Sequence, residues 1–166
     1  MLPNKDILKG KIGSMKWMCL MEVIKLGIAQ NRSQKIQEVE KIELLPSKGI
    51  VGNRHFQEDN NPKSQLTLIE SENIDYYNKK FNVKIPYVNF RRNIITKGIE
   101  LNELVGKQFV IGKIKVKGND LCSPCKHLQE ILGQKDIIKE FLQKGGLRCE
   151  ILTSGIIKVG DKIKVL

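Results

Sequence analysis

The chain has 166 residues, enough for one domain with a sizeable core and short of two. Hydrophobic residues at 40% and charged residues at 28% describe a soluble globular protein, and no apolar run approaches the ~20 residues of a membrane-crossing helix. A net charge of +11 invites nucleic acid as a partner, but the lysines stand singly and aromatics are 5% of the chain with no stacking platform, so that partner is set aside.

In chain order, Met1, Met15, Met18 and Met21 hold all four methionines, and Glu22 and Lys25 break up the apolar stretch from Trp17 to Ile28. No export signal is visible there. Residues 1–20 are read as a leader, either loosely ordered or upstream of a later translation start, and residues 21–166 as the domain. The four cysteines (Cys19, Cys122, Cys125, Cys149) are then expected to be reduced thiols in the cytoplasm.

Val23, Ile24, Leu26 and Ile28 predict a strand over Glu22–Ile28, and alternating Val39, Ile42 and Leu44 predict a second over Gln37–Leu45. Two glycines bracket Gly49-Ile-Val-Gly52-Asn53-Arg54-His55 before a polar loop. Gln65–Ile69 predicts a short strand, and Ser71 is placed as the N-cap of a helix reaching Phe81. Phe90–Ile99 reads as a strand interrupted by a turn, and Leu101–Leu104 as one helical turn. Phe109–Lys117 alternates, with Gly112 marking a bend or bulge. A short helix ends at Gly133, and another spans Asp136–Lys144, with Ile137, Ile138, Phe141 and Leu142 on one side. Arg148–Leu152 and Lys162–Leu166 close the domain, with Val159-Gly160-Asp161 as the turn before the last strand. Many short strands and few helices predict a mainly β (α+β) fold, a closed or nearly closed barrel with short peripheral helices. There is no βαβ rhythm and no phosphate loop.

The segment most loaded with chemistry is Asn119-Asp-Leu-Cys122-Ser123-Pro124-Cys125-Lys126-His127. Ser123 as N-cap and Pro124 at the first helical position put Cys125 in the first turn, where free backbone N–H groups favour a thiolate. Three readings compete. Zinc needs a second ligand pair, and only Cys149, His127 and His55 remain to supply it. A thioredoxin-type pair expects the motif after the first strand of a βαβ unit. Two buried inert thiols remain open for Cys122 and Cys149, less so for Cys125.

Arg91-Arg92-Asn93 is the densest arginine feature among only five arginines, the others being Arg32, Arg54 and Arg148. Forked donors beside an amide suit a phosphate, a carboxylate or a pterin-like ring, and equally a solvated edge paired with acids. Gly52-Asn53-Arg54-His55 adds a backbone turn, one cation and one imidazole, a weak motif alone.

Taken in order, these pieces resemble the MOSC domain, named for the C-terminal domain of molybdenum cofactor sulfurase. They are Gly49-Ile-Val-Gly52-Asn53-Arg54-His55, Gln65-Leu-Thr-Leu-Ile69, Arg92-Asn93-Ile-Ile-Thr-Lys-Gly-Ile99 and Leu104-Val-Gly106-Lys-Gln-Phe109-Val-Ile-Gly112. Cys122-Ser-Pro-Cys125, Gly145-Gly-Leu-Arg-Cys-Glu-Ile-Leu152 and Gly155-Ile-Ile-Lys-Val-Gly160-Asp161 follow, so that the resemblance runs from about Met21 to Leu166. It implies a MOSC-type β-barrel and one key thiol, Cys125, as catalytic residue and molybdenum ligand or as sulfur carrier. It implies cofactor contacts from Arg92 and Asn93, with Arg54 and His55 beside them, to the pyranopterin molybdenum cofactor. The activity implied is sulfur or cofactor handling, or reduction of N-hydroxylated compounds such as modified bases. The alternative is a sulfur-carrier or binding module with a persulfide on Cys125 and no turnover.

The partners implied are a small-molecule cofactor or substrate and a sulfur donor or redox partner protein, with no nucleic acid and no membrane. The chain departs from the family in having Asn53 where Asp is common. It carries neither the pyridoxal-phosphate domain of fused members nor the N-terminal barrel domain of mitochondrial reductases.

Overall fold

The computed structural model describes residues 21–166; the leader read over residues 1–20, with Cys19, lies outside the described residues. Eleven strands follow the apolar alternation: β1 (Glu22–Ile28), β2 (Gln37–Val39), β3 (Lys41–Leu45), β4 (Gly49–Ile50), β5 (Leu66–Glu70) and β6 (Ile94–Lys97). The remainder are β7 (Gln108–Ile111), β8 (Ile114–Leu121), β9 (Leu147–Ile151), β10 (Gly155–Lys158) and β11 (Ile163–Val165). Three short helices accompany them: α1 (Ser71–Phe81), α2 (Lys126–Leu132) and α3 (Ile137–Glu140).

Eight strands form one sheet in the order β11-β7-β8-β9-β5-β6-β1-β2, and β10-β3-β4 form a second. The large sheet curls until β11 meets β1. A bridge joins Glu22 to Lys162, and the Val23 and Ile163 N–H groups donate to Asp161 O and Met21 O, each at 2.9 Å. The architecture is mainly β, as predicted: a curled half-barrel with three short helices.

Among the described strands only β5 and β6 pair in parallel, with α1 in the crossover between them. A parallel pair is stable when both faces are covered, and the side chains here divide accordingly. Leu68 and Ile94 join the barrel core with Leu26, Phe109, Ile111 and Val116. Ile69 and Ile95, on the opposite face, pack against Ile74 and Tyr77 of α1, Phe90, Leu128 of α2 and Phe141. Aromatic contacts tie this second layer together, Tyr77–Phe141 at 5.6 Å and Phe90–Phe141 at 4.9 Å between centroids. The Tyr77 hydroxyl donates to Lys135 O at 2.6 Å.

Several elements differ from the sequence expectation. Gln37–Leu45 splits at Glu40, so that β2 pairs with β1 and β3 with β10 and β4, in different sheets. The Phe109–Lys117 strand is a hairpin: Gly112, at φ 61°, turns β7 back onto β8. Ser71 is the first residue of α1, and Glu70 occupies the N-cap. The second short helix shrinks to Ile137–Glu140, between positive φ values at Asp136 and Gln143, and buries Ile137 and Phe141 while Ile138 and Leu142 stay exposed. The β5–α1–β6 crossover is a single βαβ unit that the sequence reading did not anticipate. The Cys122–Cys125 segment lies outside it, so the thioredoxin arrangement is absent.

Candidate functional site

The cysteine segment leaves β8 at its C-terminal end and stays extended further than its Ser-Pro pair predicts. The Cys122 N–H donates to Gly146 O at 2.8 Å, which continues strand-like pairing beyond β8. A Cβ at Gly145 would run into the Cys122 carbonyl, and one at Gly146, where φ is +112°, into Leu68 O. The glycine pair therefore lets the cysteine loop lie directly against the start of β9. The helix begins only at Lys126, and Cys125 rather than Ser123 is its N-cap. The Cys125 thiol accepts the Leu128 N–H at 3.4 Å and is open to solvent. Cys122 and Cys149 are buried and unpaired thiols, and burial, then Cys122, push the Cys149 thiol well above its ordinary range.

Cys125 stands on the wall of a cleft of about 430 Å³. Four of the five arginines line the same cleft: Arg54 after β4, Arg91 and Arg92 before β6, and Arg148 on β9. No aspartate or glutamate among the described residues lines it. Among the described residues every ion pair is made by a lysine and none by an arginine. Lys63, also on the wall, is the one cleft cation with a carboxylate partner, Asp120 at 3.4 Å. Burial, followed by Arg91, Arg32 and Arg92, lowers the Arg54 pKa; burial and then Arg32 lower that of Arg91. Like charges held this closely cost stability unless an anion joins them.

The floor is rigid. Asn93 Oδ1 accepts from the Thr67 N–H at 3.2 Å and hydroxyl at 3.1 Å, and its Nδ2 donates to Gly27 O at 3.1 Å. One amide thus stitches β5, β1 and the approach to β6. Asn53 Oδ1 accepts from the Ala29 N–H at 3.2 Å and holds the Arg54–His55 turn against the chain after β1. Arg91 adopts φ 63° and donates to Gln34 O at 2.9 Å and Arg32 O at 3.1 Å. Arg92 Nε donates to Gly145 O at 2.9 Å, fixing this guanidinium beside the cysteine loop.

His55 is set by its neighbour. Arg54 Nε–H donates to His55 Nε2 at 3.1 Å, so the neutral ring carries its proton on Nδ1. Burial, then Arg54 and Arg91, lower the His55 pKa below the ordinary imidazole value. The imidazole is therefore a neutral donor in a cationic cleft at pH 7.

All five site residues read from the sequence, Arg54, His55, Arg92, Asn93 and Cys125, come together here. Asn93 lines the cleft with its recorded side-chain hydrogen bonds committed to the protein. The sequence reading missed Arg148 and Lys63 as site residues, and it flagged Arg91 only within the Arg91-Arg92-Asn93 motif, not among the cofactor contacts. Arg148 carried only strand parity as a signal, since it alternates with buried Leu147 and Cys149. The zinc reading finds no support, because no group of three or more His, Cys, Asp or Glu among the described residues is placed to hold a metal ion.

Comparison with protein families matches residues 52–164, more than half of the chain, to the MOSC domain. The chain belongs to the MOSC domain family. Among curated proteins nothing matches. Among solved structures, the YuaD protein of Bacillus subtilis superposes with TM-score 0.76 at 19% identity, over 88% of this chain and 95% of that one. YiiM of Geobacillus stearothermophilus gives 0.73 at 16% identity, over 88% and 75%, and YiiM of Escherichia coli 0.63 at 16%, over 86% and 70%. At such identities these likenesses concern the fold. Among the described residues, no helix of this MOSC protein is long and apolar enough to cross a membrane.

Proposed function

We propose that this protein binds the phosphate-bearing pyranopterin molybdenum cofactor in the arginine cleft, with Cys125 as the thiolate ligand of the molybdenum. The observation that carries the proposal is that, among the described residues, one exposed thiol shares a cleft wall with four arginines and no carboxylate. The donor set fits this group. A soft thiolate suits molybdenum or sulfane sulfur, and a single protein thiolate needs no second ligand cluster. Forked guanidiniums suit a phosphate, and about 430 Å³ lies within the range of small-molecule sites.

When bound, the group would supply two-electron redox chemistry or a transferable sulfur atom. The protein's own part is positional. Arg54, Arg92 and Arg148 hold the anion, Asn93 and Thr67 keep the floor fixed, and His55 offers its Nδ1–H. The Leu128 N–H donates to Cys125 Sγ and orients the thiol on the cleft wall as ligand or persulfide carrier. The work assigned is sulfur or cofactor handling, or reduction of an N-hydroxylated compound. In that reduction the N–O bond breaks, a redox partner protein supplies two electrons and water supplies two protons, one going to the nitrogen and the other leaving with the hydroxyl as water. Free thiols at Cys122, Cys125 and Cys149 accord with a cytoplasmic setting.

The exposure of Cys125 supports a second reading, a sulfur carrier that holds a persulfide there without turnover. One preparation separates the two. The protein is purified from cells making molybdenum cofactor, and metal, pterin and cyanide-releasable sulfur are quantified beside a Cys125→Ala variant. Stoichiometric molybdenum lost in the variant supports cofactor binding, and releasable sulfur without metal supports the carrier. Neither in the wild type removes both.

A further inference from the structure

A second cleft, also of about 430 Å³, opens beside the first, between the loop before β2, residues 84–91 and the end of α2. Ile36 and Arg91 line both, so the two cavities adjoin at these side chains. The second cleft differs in character. Ile36, Ile85, Ile131 and Leu132 give it apolar walls, and Lys35, Lys84 and Arg91 give it three cations, with no aspartate or glutamate among the described residues that line it. Ile131 is 45% exposed within this concave surface rather than on a convex one. Arg91 is held in place by the carbonyls of Gln34 and Arg32, so its charge is fixed before any ligand arrives. The bare Gly27 allows Ile36 to pack flat against β1 at the junction, since a Cβ there would meet Ile36 Cγ2.

We propose that this second cleft is the substrate subsite, taking an organic anion with an apolar, ring-sized body whose reacting end extends past Ile36 and Arg91 toward Cys125. Charge complementarity selects the occupant. Apolar side chains alone would fit many surfaces, but lysines flanking isoleucines in a cavity without acids match an amphiphilic anion and disfavour cations and neutral polar molecules. The arginine cleft is left to the cofactor's own phosphate, and Arg91 faces both ligands. The reacting-end role rests on the cofactor reading above. Binding in the second cleft does not.

The probe is 1-naphthyl phosphate, titrated by calorimetry into the full chain with excess inorganic pyrophosphate present to occupy the arginine cleft. Wild type is expected to bind it. Ile131→Ser should weaken binding fivefold or more and Lys84→Glu tenfold or more. Arg148→Ala, which alters only the first cleft, should change it less than twofold. Ile131 and Lys84 are exposed, so matching circular dichroism and melting curves are expected for both variants. No binding to wild type overturns the inference. So does binding that survives Ile131→Ser and Lys84→Glu but is lost in Arg148→Ala, because the probe then occupies the arginine cleft. Binding with the expected pattern, in a protein that acquires neither molybdenum nor sulfur from cofactor-making cells, supports the subsite and overturns the cofactor reading alone.

Discussion

Phe90 and Arg91 are neighbours in the chain and belong to opposite environments. Phe90 is fully buried, 4.9 Å from Phe141, in a layer where aromatic and aliphatic side chains cover the outer face of the parallel strands. Arg91 takes a left-handed backbone geometry and joins three other arginines around a cleft that no carboxylate among the described residues lines. In the first region packing and sequence pattern agree, and the result is stability. In the second, mutual repulsion and local strain persist, which is the usual mark of a place kept for a ligand rather than for folding.

Substitutions should separate the two regions. Phe90→Ala empties the helix layer and should lower unfolding free energy by roughly 3–5 kcal/mol in chemical denaturation. Arg92→Ala removes a charged donor and should cost on the order of tenfold in affinity for inorganic pyrophosphate. The same variant also loses the hydrogen bond to Gly145 O and should lower stability by no more than about 1.5 kcal/mol, well below the Phe90→Ala loss. An arginine variant that unfolds the protein would erase the contrast. Gly146→Ala should destabilise by more than about 1 kcal/mol, because its φ of +112° and the nearby Leu68 carbonyl leave no room for a side chain.

The smallest effect concerns pH. His55 is held below its ordinary pKa by burial and by Arg54 and Arg91. As pH falls through about 6.5 the unfolded chain takes up a proton that the folded one resists, so His55 lowers stability on acidification. A bound anion offsets the arginines and raises the His55 pKa. Binding then takes up a proton, and affinity rises as pH falls, by less than about tenfold per pH unit. Calorimetry in buffers of different ionisation enthalpy reads that proton directly. Proton release on binding would contradict this arrangement.

Much of the first region was legible from residues alone. Glu22–Ile28 and Ser71–Phe81 occupy the spans predicted for them, and Gly133 ends α2 in the left-handed conformation expected of a C-cap. The parallel pairing of β5 with β6, and the split at Glu40, were not legible, because strand order is set by long-range closure rather than by local pattern. The two-residue β4 and the short β10 carry too few side chains to announce themselves. Arg54, Arg92 and Cys125 stood out by family resemblance, but their convergence with Arg148 joins positions far apart in the chain. Local periodicity holds no trace of such a meeting. The Cys125 cap shows the same limit. Ser-Pro is a good local helix start, and it is overridden by the Cys122–Gly146 hydrogen bond and the glycine pair that permits it.

The most direct test of the central claim uses Cys125→Ser, which keeps an N-cap acceptor for Leu128 and should change stability by less than about 1 kcal/mol. Wild type and variant are purified from cells making molybdenum cofactor, and bound molybdenum per chain is measured. Wild type should hold close to one molybdenum per chain, and the serine variant should lose most of it with its melting curve unchanged. Equal molybdenum in both proteins, or none in wild type, would contradict it.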